Sequence, residues 1–99
     1  IVMANIFYIS LPERFDFYHH KKFTSDYQKA FLEEDIKHLV LDFSRVLYID
    51  SSALGMMVLL HRKALERQIS TAIRGLHGQA EEIINIANMG RLYLVERDV

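Results

Sequence analysis

Cysteine is absent from the 99 residues, proline occurs only at Pro12, and the four glycines are Gly55, Gly75, Gly78 and Gly90. Without cysteine there is no disulfide, no thiol nucleophile, no cysteine–zinc site and no iron–sulfur cluster. With so little proline and glycine, no linker, repeat or low-complexity segment divides the chain. Neither charge is in excess: 12 basic residues face 13 acidic ones, for a net −1. A dedicated nucleic-acid binder carries a clear basic excess or stripe, so nucleic acid is not an expected partner. No apolar run is long enough for a bilayer; Ser51 to Leu60 is uncharged but too short. No basic–apolar–small leader opens the chain. The expected compartment is therefore the cytoplasm, with no direct membrane insertion. The chain begins Ile1-Val2-Met3. Met3 reads as a candidate native start, with Ile1 and Val2 left over from cloning or from a longer chain.

Hydrophobic residues make up 51% of the sequence and charged ones 25%, which suits a folded globule and not a disordered tail. A chain of this size forms one domain, residues 1–99, whose core covers roughly two thirds of the surface the unfolded chain exposes.

Ile6 to Leu11 is rich in β-branched and aromatic residues and stops at Pro12, which predicts a strand. Glu13 to Tyr18 reads as a turn or a second extended piece. From His19 to Leu32, Phe23, Tyr27, Ala30 and Phe31 recur at helical steps, with Ser25-Asp26 as an alternative cap for a shorter helix. Ile36 to Phe43 holds the continuous apolar run Leu39-Val40-Leu41, which suits a strand buried on both faces. Val46 to Ile49 leads into Asp50-Ser51-Ser52, three good helix-start residues. Behind them Leu54, Met57, Val58, His61 and Leu65 share one helical face. Met56, Leu59 and Leu60 make much of the remaining circumference apolar and are the candidates for exposure to a partner. Ser70 to Arg74 predicts a strand ending at Gly75. Gln79 to Asn88 predicts a helix stopped by Gly90, and Leu92 to Val95 a last short strand. The alternation of strand and helix predicts an α/β domain with parallel neighbours and right-handed crossovers.

The stretch Tyr48-Ile49-Asp50-Ser51-Ser52-Ala53-Leu54-Gly55 is the most informative. It places hydroxyls at the start of a helix, where N–H groups lack internal partners and carry about half a positive charge. Two roles fit. Asp50 or Ser51 can simply cap the helix, which is the commoner arrangement, or the place can hold a phosphate.

The run VLYIDSSALG, with LVLDF before it, resembles the signature of the STAS domain, the fold of bacterial anti-sigma factor antagonists. The likeness covers nearly the whole chain. Glu13-Arg14-Phe15-Asp16 sits where that family has a Gly-Glu-Leu-Asp turn. Asn88-Met89-Gly90-Arg91-Leu92 resembles its Ser-Gly-Leu turn. The resemblance implies a STAS-like α/β fold with a mixed sheet of four or five strands and helices packed mainly on one face. It implies Ser52 as a phosphorylation site, Asp50 and Ser51 as residues that shape the turn, and Asp16 as an acidic residue near the partner face. Together with Met56 these form the expected partner-binding set. Two departures stand out: Glu13 replaces the family's early-turn glycine, and Ala53 replaces the commoner glycine of the motif. The implied partners are an anti-sigma factor that is also a serine kinase, and a metal-dependent serine phosphatase that resets the switch. The domain itself would be a binding module, with no catalysis of its own.

A phosphate on Ser52 would add about −1.5 to −2 charges. The helix start would favour it by about 0.3–1 kcal/mol. A carboxylate such as that of Asp50, about 7 Å away, would repel it by about 1.2 kcal/mol in a water-like dielectric. The two nearly cancel, so the modification is expected to change docking and not folding.

Other chemistries have little to stand on. His19 and His20 are adjacent and diverge on a helix, while His38, His61 and His77 are scattered, so no metal and no cofactor is expected. His61 reads as a partly buried, hydrogen-bonded residue, and His20-Lys21-Lys22 as a solvated helix face. There is no Gly-x-Ser-x-Gly elbow and no glycine-rich phosphate loop. Two other roles stay open: a STAS subunit of a membrane transport system with a structural serine, and a small nucleotide-binding or hydrolytic α/β protein using the Asp50–Ser52 turn.

Overall fold

The computed structural model describes residues 5–96. The reading of Met3 as a start lies outside them. The elements are β1 (Ile6–Ser10), β2 (Arg14–Phe15), α1 (His20–Leu32), β3 (His38–Asp42), β4 (Tyr48–Ile49), α2 (Ser51–Glu66), β5 (Ser70–Arg74), α3 (Gly78–Ile86) and β6 (Leu94–Val95). Short 3₁₀ turns at Phe17–His19 and Met89–Arg91 precede α1 and follow α3.

β1, β3, β5 and β6 lie in that order in one sheet, and β2 pairs with β4 in a second, two-stranded one. Every strand pair among the described residues is parallel, so the antiparallel component of the expected mixed sheet is not found among them. The register explains the continuous apolar run of β3. Ile9, Leu41 and Ile73 stand side by side on the face that joins the helices, with Leu39 one step earlier. Val40 and Ala72 point to the opposite face and are buried there, outside the helix-facing core cluster. The helices thus supply one face, as expected.

α1 buries Phe23, Tyr27 and Ala30. Its span agrees with the longer reading to within one residue, and the shorter helix capped at Ser25-Asp26 is not found. Asp16 caps the 3₁₀ turn that runs into it, and Asp26 instead pairs with Lys22 across one helical turn. α2 is rotated from the expected face. It buries Ala53, Met56, Met57, Leu60 and Ala64, while Leu59 is exposed and Leu65 is 65% exposed. The alanines let the helix approach the sheet closely, so they and not the leucines at 54 and 65 define its inner side. On that side the Tyr93 hydroxyl donates to the Met57 carbonyl at 2.6 Å, and burial pushes the phenol far above its ordinary pKa. His61 is partly buried and hydrogen-bonded to Thr71 at 3.0 Å, as its place on α2 suggested.

α3 ends at Ile86, short of the expected Asn88, and Gly90 is not its stop. Asn88 takes the left-handed conformation instead, at φ +59°. Asparagine enters this region more readily than other residues with a side chain. Gly75, after β5, also has positive φ, at +73°, and a β-carbon there would lie 2.8 Å from the Ser44 backbone nitrogen. Two constraints therefore demand glycine at one position. Gly75→Ala should lower stability by about 1–3 kcal/mol, read as an earlier urea midpoint. An unchanged midpoint would contradict the close approach.

Candidate functional site

The smaller sheet decides where the polar turns meet. Arg14 pairs with Tyr48 and Phe15 with Ile49 in parallel register, so the next residues, Asp16 and Asp50, leave the same edge side by side. Both begin helical turns. The Asp16 carboxylate accepts from the Tyr18 N–H at 3.0 Å and from Arg14 Nε at 2.8 Å. The Asp50 carboxylate accepts from the Ala53 N–H at 3.0 Å, capping α2.

Ser51 and Ser52 are the first two residues of α2. Ser51 is exposed and Ser52 half-buried. By geometry their N–H groups have no partner within the helix, and Asp50 takes only the next one, at Ala53. The arrangement is a helix start with two unsatisfied donors beside two serine hydroxyls, suited to an attached anion.

The expected partner set divides on inspection. Asp50, Ser51 and Ser52 form the turn. Asp16 lies next to it, but it is only 6% exposed and both of its oxygens are engaged, so it shapes the neighbouring turn from inside. Met56 is 8% exposed and packs in the core, so its expected exposure is corrected. Met56 lies one turn beyond Ser52 on the same side of α2, the side that also carries Ala53, Leu60 and Ala64 into the core, which is why Ser52 itself is half-buried.

Residues the sequence reading left unmarked fill the outer surface instead. Phe17 is 63% and Tyr18 94% exposed, directly after Asp16. Leu47 is exposed before β4, and the Arg14 guanidinium lies 4.4 Å from the Tyr48 ring centre. Large aromatics in water next to a polar turn fit a docking surface. The visible signal was the run Phe15 to Tyr18, rich in aromatics but lacking helical spacing.

The histidines stay dispersed. His77 bonds to the Ser44 carbonyl and His38 to Ser70. Among the described residues no group of three His, Asp or Glu converges to hold a metal. His19 packs edge-on against Phe15, and its Nε2 is buried without a hydrogen-bond partner. Burial holds its imidazole below the ordinary pKa, opposed by the Asp26 carboxylate, reinforced by Lys22 and opposed again by Asp16. The folded protein therefore binds this proton less readily than the unfolded chain. Stability should be full above the unfolded value of about 6.5 and decline as pH falls below it. In a His19→Gln variant this part of the acid-side decline should disappear from thermal midpoints measured against pH. An identical profile would remove His19 from the account.

The model of the STAS domain family matches residues 2–99. A STAS-domain containing protein of Pseudomonas aeruginosa is 29% identical over 87 residues, covering 88% of this chain and 84% of that one. The anti-sigma factor antagonist SpoIIAA in its unphosphorylated form superposes with a TM-score of 0.75 at 13% identity, over 100% of this chain and 86% of the other. A structure of SpoIIAA from Bacillus in its phosphorylated form is also similar. A sulfate transporter family protein from Wolinella succinogenes reaches a TM-score of 0.78 at 15% identity, over 92% and 73% of the two chains.

Proposed function

The chain belongs to the STAS domain family, and from that premise we propose that it is a phosphorylatable switch of the anti-sigma factor antagonist type. Unphosphorylated, it docks on a regulatory partner in the cytoplasm, an anti-sigma factor or related serine kinase. That kinase transfers the terminal phosphoryl group of ATP to the Ser52 oxygen. The oxygen–phosphorus bond forms as the bond to ADP breaks, the hydroxyl proton leaves to the kinase, and the complex separates. A serine phosphatase restores the hydroxyl. The domain supplies no catalysis, only a surface and a residue to modify.

The observation that carries this reading is the position of Ser52. It sits at a helix start with unsatisfied N–H donors, on the edge where the exposed Phe17 and Tyr18 also emerge. A partner seated on those aromatics would remove water from the serine. Burying a doubly charged group without a counter-ion costs several kcal/mol, and each 1.4 kcal/mol is about tenfold in affinity. Protein carrying encoded phosphoserine at 52 should keep its thermal midpoint within about 2 °C and lose at least about tenfold in affinity for the partner captured by a Ser52→Ala bait. Ser52→Ala should take no phosphate in its own cells, and Ser51→Ala should still take it. Equal capture by the phosphorylated and Ser52→Ala baits would end this reading.

Gly55 separates docking from folding. It is exposed in the second turn of α2, one turn beyond Ser51, and a β-carbon there would meet nothing within 4 Å. Gly55→Ala should raise stability by about 0.5–1 kcal/mol in urea unfolding. It should also weaken partner binding, because the added methyl stands beside the serines. A more stable protein with unchanged affinity would move the partner off this part of α2.

The likeness to a sulfate transporter family protein favours a second reading, in which the domain braces a membrane transport system and Ser52 is structural. Co-purification with membrane components, without a phosphorylated pool, would select it.

A further inference from the structure

β4 consists of two residues, and its second, Ile49, is buried and immediately precedes the Asp50 cap. One edge of the strand is joined to β2: the Tyr48 N–H donates to the Glu13 carbonyl at 3.1 Å. Among the described residues the other edge meets no strand. There the Ile49 N–H donates to Gln79 Oε1 at 3.0 Å, and Gln79 Nε2 donates to the Ile49 carbonyl at 3.1 Å. A carboxamide presents a donor and an acceptor side by side, as a peptide group does, so this one side chain does the work of a third strand. Its orientation is fixed by its partners: an N–H must meet the oxygen and a carbonyl the nitrogen.

Gln79 is the second residue of α3, so the clamp ties the start of α3 to the residue that launches α2. A two-residue strand held on one edge alone would leave the direction of the Asp50–Ser52 turn loosely set. We propose that Gln79 is a positioning residue for that turn: by holding both polar groups of Ile49, it fixes the direction in which Ser52 is presented at the helix start. Its functional meaning rests on the phosphorylation of Ser52 proposed above, but the clamp does not.

The experiment uses the full chain, isotope-labelled, with and without encoded phosphoserine at 52. Amide exchange reads the clamp, and phosphorus NMR reads the second pKa of the phosphate. In Gln79→Ala, exchange at Ile49 should quicken by at least about tenfold while core amides such as Ile73 stay protected. The phosphate, less well aimed at the helix N–H groups, should titrate a few tenths of a unit higher than in the unsubstituted chain. Gln79→Glu keeps an acceptor for the Ile49 N–H but sets an oxygen against the Ile49 carbonyl. It should protect that N–H partly and still raise the phosphate pKa. This second variant, which adds an acidic residue where the first turn of α3 favours one, decides the matter through exchange at Ile49 if Gln79→Ala proves unfolded. Unchanged exchange at Ile49, or a phosphate pKa indifferent to residue 79, would overturn the proposal and leave the switch untouched. Retention of the partner by phosphorylated protein would sink the switch and leave both spectroscopic results standing.

Discussion

The parallel register of two residue pairs, Arg14 with Tyr48 and Phe15 with Ile49, is the constraint on which the rest depends. Parallel strands run out in the same direction, so whatever follows one is delivered beside whatever follows the other. Here both continuations are aspartates that cap helical turns. Phe15 and Ile49 are both sealed in the core, which stops the pairing from slipping, since a shift of one residue would expose them. The hydrophobic interior thereby positions a polar surface that it does not touch.

From that constraint follows a division of labour among the acidic groups. Asp16 and Asp50 are each spent on backbone N–H groups, and Asp16 also on Arg14. Both oxygens of Asp16 and one of Asp50 satisfy the protein itself. The groups left facing outward are hydroxyls and aromatic rings: Ser51, Phe17 and Tyr18. A modification can change the electrostatic character of such a surface greatly.

Much of this was legible in the chain. The strand read at Ser70–Arg74 is the strand observed, because β-branched residues run into a glycine that the close approach of Ser44 requires. The helix start at Asp50 was visible because capping is local chemistry. The inner face of α2 was not. A helix apolar on most sides carries no single stripe, and Ala53 and Ala64 weigh little on any hydropathy reading although they let the backbone come close to the sheet. Met56 and Leu60 were misjudged for the same reason. Asn88 in place of Gly90 as the turn after α3 was hidden because two residues could supply the left-handed conformation. Gln79 left no trace at all: its partner lies 30 residues away, and a polar residue in a first helical turn looks ordinary.

Why the proposed phosphate should act on docking and not on the fold follows from how the same two forces scale. In the free protein the turn is half-buried at Ser52 and exposed at Ser51, and in a water-like dielectric repulsion from a carboxylate about 7 Å away amounts to about 1 kcal/mol while the helix start returns a comparable amount. A partner that covers Phe17, Tyr18 and the serines lowers the local dielectric. At an effective value near 20 the repulsion rises to about 5 kcal/mol. The helix start offers only about half a charge against nearly two, and its attraction is confined to the first turn. Asp50 cannot move away to relieve the strain, because it caps α2 through Ala53. Lys22 is already paired with Asp26, and Arg14 is held by Asp16 and the Tyr48 ring, so neither is poised to compensate. The imbalance exists only in the covered state, which places the effect on the complex and leaves the folded domain as it was.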